Sequence, residues 1–170
     1  MTSISVSRGL TATSRHSLEI GSHLIRAGAD ARLIRGWVFR DKSLGALKMW
    51  GIVLSRLAVE PQLNIVYTYI TQRDLTEYKV SDSDVEGIAN LLNSLSEGVA
   101  ALVLKEQGDG KIKGSFRTTR DDVDVSAWAK SLGGGGHRKA AGFTVEGPVS
   151  AALEKVFAGV KESVHFNNHH

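Results

Sequence analysis

The chain has 170 residues, 42% of them hydrophobic and 23% charged, enough to bury one sizeable core with some flanking structure and too apolar for a disordered protein. It has no cysteine, which excludes thiol catalysis, disulfides and cysteine-bound zinc. No stretch has the apolar core of a signal peptide or the length of a membrane span, so a cytoplasmic protein is expected, and the formal charge of +3 allows an anionic partner without demanding one.

Residues 1–13 are rich in Ser and Thr, lack hydrophobic periodicity and are expected to form a disordered lead. From Ser17 to Ala27, the apolar spacing suits a short amphipathic helix that Gly28 ends. Asp30 can cap a second helix carrying Leu33, Ile34, Trp37 and Val38. Leu44, Leu47, Trp50, Leu54 and Leu57 recur at three- and four-residue steps and predict a third, with Pro61 closing the region. The period then changes. Residues 64–70 are β-branched and aromatic and predict a strand; residues 82–95 begin with capping side chains, turn apolar at helical spacing and predict a helix. Val99–Leu104 and Lys111–Thr119 flank an Asp-Gly pair and predict a hairpin. Asp124 can cap a helix that runs into four glycines, Gly133 to Gly136. A strand at Gly142–Glu146 and a helix at Val149–Val160 complete the order. The expected fold class is α/β, a mixed sheet with packed helices after a helical connecting segment. Residues 164–170, with His165, His169 and His170, look like a tail or tag.

Two stretches carry candidate chemistry. In the second hairpin strand, Ile112, Gly114, Phe116 and Thr118 share one face, and Lys111, Lys113, Ser115, Arg117 and Thr119 share the other. The second face offers cations and hydroxyls to an acidic ligand, although taken alone it fits better as the solvated side of a half-exposed sheet. Arg117 stands apart because a planar guanidinium can hold a phosphate by two parallel hydrogen bonds. The glycine run fails as a nucleotide P-loop, since Lys139 lies between Arg138 and Ala140, and as a dinucleotide fingerprint, whose third glycine falls on Arg138 or Lys139. Residues without Cβ still let several N–H groups converge on an anion, and His137 can donate a hydrogen bond or stack on a base. Asp82 with Asp84, and Asp121 with Asp122 and Asp124, resemble metal carboxylates but fall at expected helix starts, where capping is their role. His16 and His23 read as surface histidines; Trp37, Trp50 and Trp128 read as core or docking surface. No nucleophile-base pair is evident.

The stretch Gly134-Gly135-Gly136-His137-Arg138-Lys139-Ala140-Ala141-Gly142 resembles the GGGHxxAAG signature of the DHH-associated domain of DHH-family phosphoesterases. The similarity extends to Val-Asp-Val at residues 123–125, to Gly-Ser-Phe-Arg at residues 114–117, and to the order of elements from about residue 62 to 162. Within the family, the chain is most similar to bacterial oligoribonucleases with phosphoadenosine phosphate phosphatase activity and to cyclic-dinucleotide phosphodiesterases.

The resemblance implies an N-terminal catalytic domain whose Asp and His residues, including an Asp-His-His triplet, hold two divalent metals, usually manganese. A C-terminal domain then holds the substrate across a cleft. This sequence contains no Asp-His-His. On the resemblance, residues 14–60 are the end of the catalytic domain with its connecting helices, and residues 61–163 are the substrate-binding domain. The chain is then expected to be hydrolytically inert by itself and part of a larger enzyme, with no catalytic residue, metal ligand or cofactor of its own. Gly134, Gly135, Gly136 and His137 would contact the terminal nucleotide and phosphate, Ser115 and Arg117 the backbone phosphate, with Lys113 and Arg138 as helpers on geometry. Implied partners are short RNA or a nucleotide and the catalytic DHH domain; a homodimer is compatible, and no membrane is involved. The alternatives are a stand-alone nucleic-acid-binding or oligomerisation module related to the alanyl-tRNA synthetase C-terminal domain, or part of a RecJ-like exonuclease or an exopolyphosphatase. The synthetase version usually lacks the His-x-x-Ala-Ala-Gly ending, and no extra binding domain supports RecJ. Short RNA, phosphoadenosine phosphate, a cyclic dinucleotide and polyphosphate all stay open as substrates.

Overall fold

The computed structural model describes residues 15–30, 43–92, 95 and 97–167. The chain divides into two compact units, Met1–Leu44 and Gly45–His170. In the first, helix α1 (Arg15–Arg26) forms where the amphipathic spacing predicts it, and Gly28 ends it with a φ of 93°. The disordered lead and the helix expected after Asp30, with Trp37, lie outside the described residues.

The second unit is built on a sheet. Helix α2 (Leu44–Ser55) leads into β1 (Ala58–Glu60) and β2 (Ile65–Ile70), then α3 (Gln72–Tyr78) and α4 (Asp82–Leu92). The hairpin of β3 (Ala100–Glu106) and β4 (Lys111–Arg117) follows, then α5 (Val125–Ser131), β5 (Gly135–His137), β6 (Ala140–Glu146) and α6 (Val149–Asn167). The six strands lie in the order β1-β2-β3-β4-β6-β5. Only β2 and β3 run parallel, which requires the crossover that α3 and α4 provide. The expected mixed α/β architecture is therefore present.

Each face of the sheet has its own core. On one, α5 and α6 cover Ile65, Leu102, Leu104, Ile112, Phe116 and Phe143. Phe116 meets Trp128 edge-on at 5.6 Å and tilts against Phe143 at 5.2 Å. Phe143 lies over Gly114, where any Cβ would run into its ring. The other face buries Ile70, Ala101 and Val103 under Met49 and Val53 of α2, Leu75 of α3, and Val85, Ile88 and Leu92 of α4. Trp50, half-buried, donates from Nε1 to the Asp84 carbonyl at 2.8 Å. This second cover stops short: α4 reaches β4, but beyond it the face presents partly or fully exposed residues of β4, β6 and β5.

Two polar devices fix the helices of that cover. Arg56, just past α2, donates to both carboxylate oxygens of Asp74 at 2.6 and 2.8 Å and lies 4.8 Å from the Tyr69 ring centroid. Asp74 closes a capping box with Thr71 at the start of α3. Burial alone would raise the Asp74 carboxyl, yet the bonds from Arg56 and Thr71 outweigh it and hold the group below its ordinary range. The buried Thr68 hydroxyl donates to the Val53 carbonyl in the last turn of α2 at 2.5 Å, tying that end of the helix to the sheet.

Candidate functional site

The open part of the sheet is organised by register. In antiparallel pairs, directly opposed residues point to the same face, so each row can be followed across three strands. Arg117 on β4 opposes Ala140 on β6, which opposes His137 on β5. In the next row Ser115 opposes Gly142, which opposes Gly135. In the third, Lys113 opposes Thr144. With neighbouring strands about 4.8 Å apart, the Arg117 and His137 backbones face each other across about 10 Å. Between them the floor is Ala140, Gly142 and Thr144, none with a long side chain. The result is a shallow trough, with Arg117, Ser115 and Lys113 along one side and His137 and Gly135 along the other.

Arg117 is the electrostatic centre of the trough. It is half-buried, and desolvation lowers its pKa. Its Nη1 donates to the carbonyl of the preceding Phe116 at 2.9 Å, and among the described residues no carboxylate pairs with it. A guanidinium removed from water without a counter-charge is costly, and an anionic ligand relieves that cost. His137 and Lys113 are exposed, and Ser115 is half-buried beside Arg117.

The glycines divide by cause. The run is expected as a loop, but its second half is the edge strand β5, paired with β6. Gly133 follows α5 with a φ of 77°, the left-handed conformation that ends helices. A Cβ on Gly134 would lie 2.7 Å from the Phe143 Cα, and one on Gly136, whose φ is 146°, would lie 2.6 Å from the Ala141 Cα. Close backbone packing explains both. Gly135 is different: a Cβ there would meet nothing within 4 Å. Its missing side chain leaves room on the trough side, in the row of Ser115.

Arg138 and Lys139 form the two-residue turn between β5 and β6, and their side chains reach residues 119–121. The Arg138 guanidinium donates to the Asp121 carbonyl at 2.7 Å. The Lys139 ammonium donates to the Thr119 and Arg120 carbonyls and to the Asp121 carboxylate. The Arg138 carbonyl accepts from the Val125 amide, and the Lys139 carbonyl from the Thr118 amide. Arg138, expected as a helper in binding, is here part of a clamp that holds the hairpin carrying His137 against residues 118–125. Lys139 was not singled out by sequence as part of this device; its place in the turn, one residue before a small-residue strand, is the only signal. The trough floor was missed for a related reason, because the strand begins at Ala140, two residues earlier than the periodicity suggests.

Four of the acidic candidates have structural roles, and the side chain of the fifth, Asp82, lies outside those described. Asp124 caps α5 through the Ser126 amide at 2.9 Å and hydroxyl at 2.6 Å, which together lower its pKa. Asp84 accepts from the Ser81 amide at 2.8 Å at the start of α4. Asp121 pairs with Lys139 and Asp122 with Arg120. Among the described residues no three His, Asp or Glu side chains converge to hold a metal ion. The described part of the chain therefore does not fit the paired metals that the resemblance implies.

The chain is thus an α/β domain built on a mixed six-stranded sheet, with one glycine- and cation-lined stretch of a face left open. The DHHA1 domain model matches residues 62–165, more than half of the chain, and the chain belongs to that family. Its structure is similar to an exopolyphosphatase-related protein from Bacteroides fragilis, with 27% identity and a TM-score of 0.76 over 91% of this chain and 46% of that one. It is also similar to a pGpG-specific phosphodiesterase from Vibrio cholerae, with 14% identity and a TM-score of 0.54 over 92% of this chain and 53% of that one. The C-Ala domain of Aquifex aeolicus alanyl-tRNA synthetase matches 58% of this chain and 88% of its own length at 16% identity and a TM-score of 0.44. The chain spans about half the length of the first two. No described helix is long and apolar enough to cross a membrane.

Proposed function

We propose that the trough over β4, β6 and β5 holds the phosphate and terminal nucleotide of a short oligoribonucleotide or related nucleotide, presenting it to a metal-bearing DHH catalytic domain. The observation that carries this reading is Arg117, a desolvated cation without a carboxylate partner among the described residues, facing His137 across a floor of small residues. Arg117 grips a phosphate oxygen pair, and the Ser115 hydroxyl adds a donor beside it. His137 stacks on or hydrogen-bonds to the base, while Gly135 leaves room for the sugar-phosphate to approach the backbone. The neighbours are named for polyphosphate and for pGpG, and both ligands offer phosphates to Arg117. A base for His137 favours the nucleotide. The paired metals belong, on this proposal, to the catalytic domain, and every role assigned to this chain is one of binding.

Titration calorimetry of the chain with a two- or three-nucleotide RNA tests the reading. Arg117→Ala should weaken binding by about 1.5–3 kcal/mol, the worth of a hydrogen bond to a charged group. Tripolyphosphate should bind more weakly than the RNA. Unchanged affinity in the variant would overturn the assignment.

A further inference from the structure

The parallel pair β2 and β3 runs toward a cleft at the far end of β4 from Arg117. Ligands of open α/β sheets commonly sit outside the carboxyl ends of parallel strands, where the chain leaves the sheet in loops. Here the cleft measures about 380 Å³, within the range of small-molecule sites. It lies between Gln72 at the start of α3, Glu106 at the end of β3, the β3–β4 turn and the β6–α6 junction. Gly108, Gly110 and Gly147 bring no side chains to its walls, while Ile112 and Pro148 give it apolar surface.

Three hydrogen-bonding groups of these walls are unspent. Glu106 accepts from the Gln72 amide on Oε2 at 2.9 Å, and the Glu106 carbonyl accepts from Gln72 Nε2 at 2.6 Å. The two bonds hold both side chains in place. They leave Glu106 Oε1 and Gln72 Oε1 without a donor among the described residues. Gln107 supplies the third group, because its Nε2 is buried and no described residue accepts from it. A buried donor left unpaired is costly. A turn of the Gln107 side chain into the cleft beside it relieves that cost once a ligand brings an acceptor. The unspent set is therefore two acceptors, one of them charged, and one donor.

We propose that this cleft is a second binding site, for a small molecule bearing a planar cyclic amide with two N–H donors beside a carbonyl, the edge that guanine presents. The two N–H groups meet Glu106 and Gln72, the carbonyl meets Gln107, and the ring lies against Ile112 and Pro148. Adenine fits less well, because it sets a ring nitrogen lone pair where guanine offers a donor to the carboxylate. The site is independent of the trough: it shares no residue with it and asks for no phosphate.

The test is an NMR titration of the full, nitrogen-labelled chain with guanosine up to its solubility limit, read at the glycine amides. Guanosine should shift Gly108, Gly110 and Gly147 and leave Gly134, Gly135 and Gly136 in place. Inosine, which lacks one N–H donor, should bind about three- to tenfold more weakly, the worth of one hydrogen bond, and adenosine more weakly still. Glu106→Gln should weaken guanosine about five- to tenfold, the difference between a charged and a neutral acceptor. Gln107→Met should weaken it about three- to tenfold, while the melting temperature without ligand stays level or rises, since an unpaired buried donor is gone. A Gln107→Met protein that melts lower and binds guanosine like the parent would make Gln107 a structural residue and overturn its role. No shift at the three cleft glycines, shifts confined to Gly134–Gly136, or equal affinity for adenosine would each overturn the site.

Discussion

At the scale of single residues, two adjacent glycines separate stability from binding. Gly136 holds a φ of 146° and packs against the Ala141 backbone, so Gly136→Ala should cost about 1–3 kcal/mol in folding. Gly135 has open space where a Cβ would stand and no such φ. Gly135→Ala should therefore change stability by less than about 1 kcal/mol, yet it sets a methyl group in the row of Ser115, on the path proposed for the ligand. Thermal melts and RNA titrations on the two variants give the comparison. A Gly135→Ala protein that binds RNA like the parent would remove this glycine from the site.

At the scale of elements, the cover over the first half of the sheet depends on one ion pair. Asp74 is buried between Arg56 and the α3 capping box, and its pKa lies below its unfolded value near 3.9. A depressed carboxyl contributes stability above the unfolded pKa and loses it as the pH falls through the folded one. Asp74→Asn should therefore destabilise the chain by about 2–3 kcal/mol at pH 7, leaving Arg56 without its counter-charge. The gap between parent and variant should close below about pH 4. Denaturant midpoints measured from pH 3 to pH 7 read this directly, and a gap independent of pH would contradict it. These same elements show what the sequence reveals and what it hides. The hairpin, α4 and α6 were legible because their apolar residues recur at the right period over enough length, and the seven-residue α5 was legible through its Asp124 cap and the apolar run Ala127, Trp128 and Ala129. Helix α3 spans seven residues and buries only Leu75 among its apolar side chains, so periodicity had nothing to register. Its capping box, Thr71 to Asp74, was the available signal. Strand β5 is hidden because Gly135 and Gly136 carry no strand preference; its pairing to β6 makes it a strand. The polar face of β4 was legible as a face, whereas the half-burial of Arg117 was not, since it depends on tertiary packing that no local pattern encodes.

At the scale of the whole molecule, the proposed function predicts that holding and cutting separate. The sequence has no Asp-His-His, and Asp84, Asp121, Asp122 and Asp124 are engaged in caps and ion pairs. With short RNA at about a hundred times its Kd, the chain should gain about 2.7 kcal/mol of stability by mass action. Added manganese should produce no cleavage in the same mixture, as followed by chromatography of the RNA. Turnover by the purified chain alone would show that it carries chemistry assigned to another domain.

The two margins of the sheet have a colloidal consequence. Both outermost strands, β1 and β5, are three residues long, and β5 is mostly glycine. A foreign strand arriving at either margin finds few peptide groups in line before the ladder runs out, too few to seed a growing fibril. The short, glycine-rich strand at the edge of the trough thus makes that margin a poor template for aggregation.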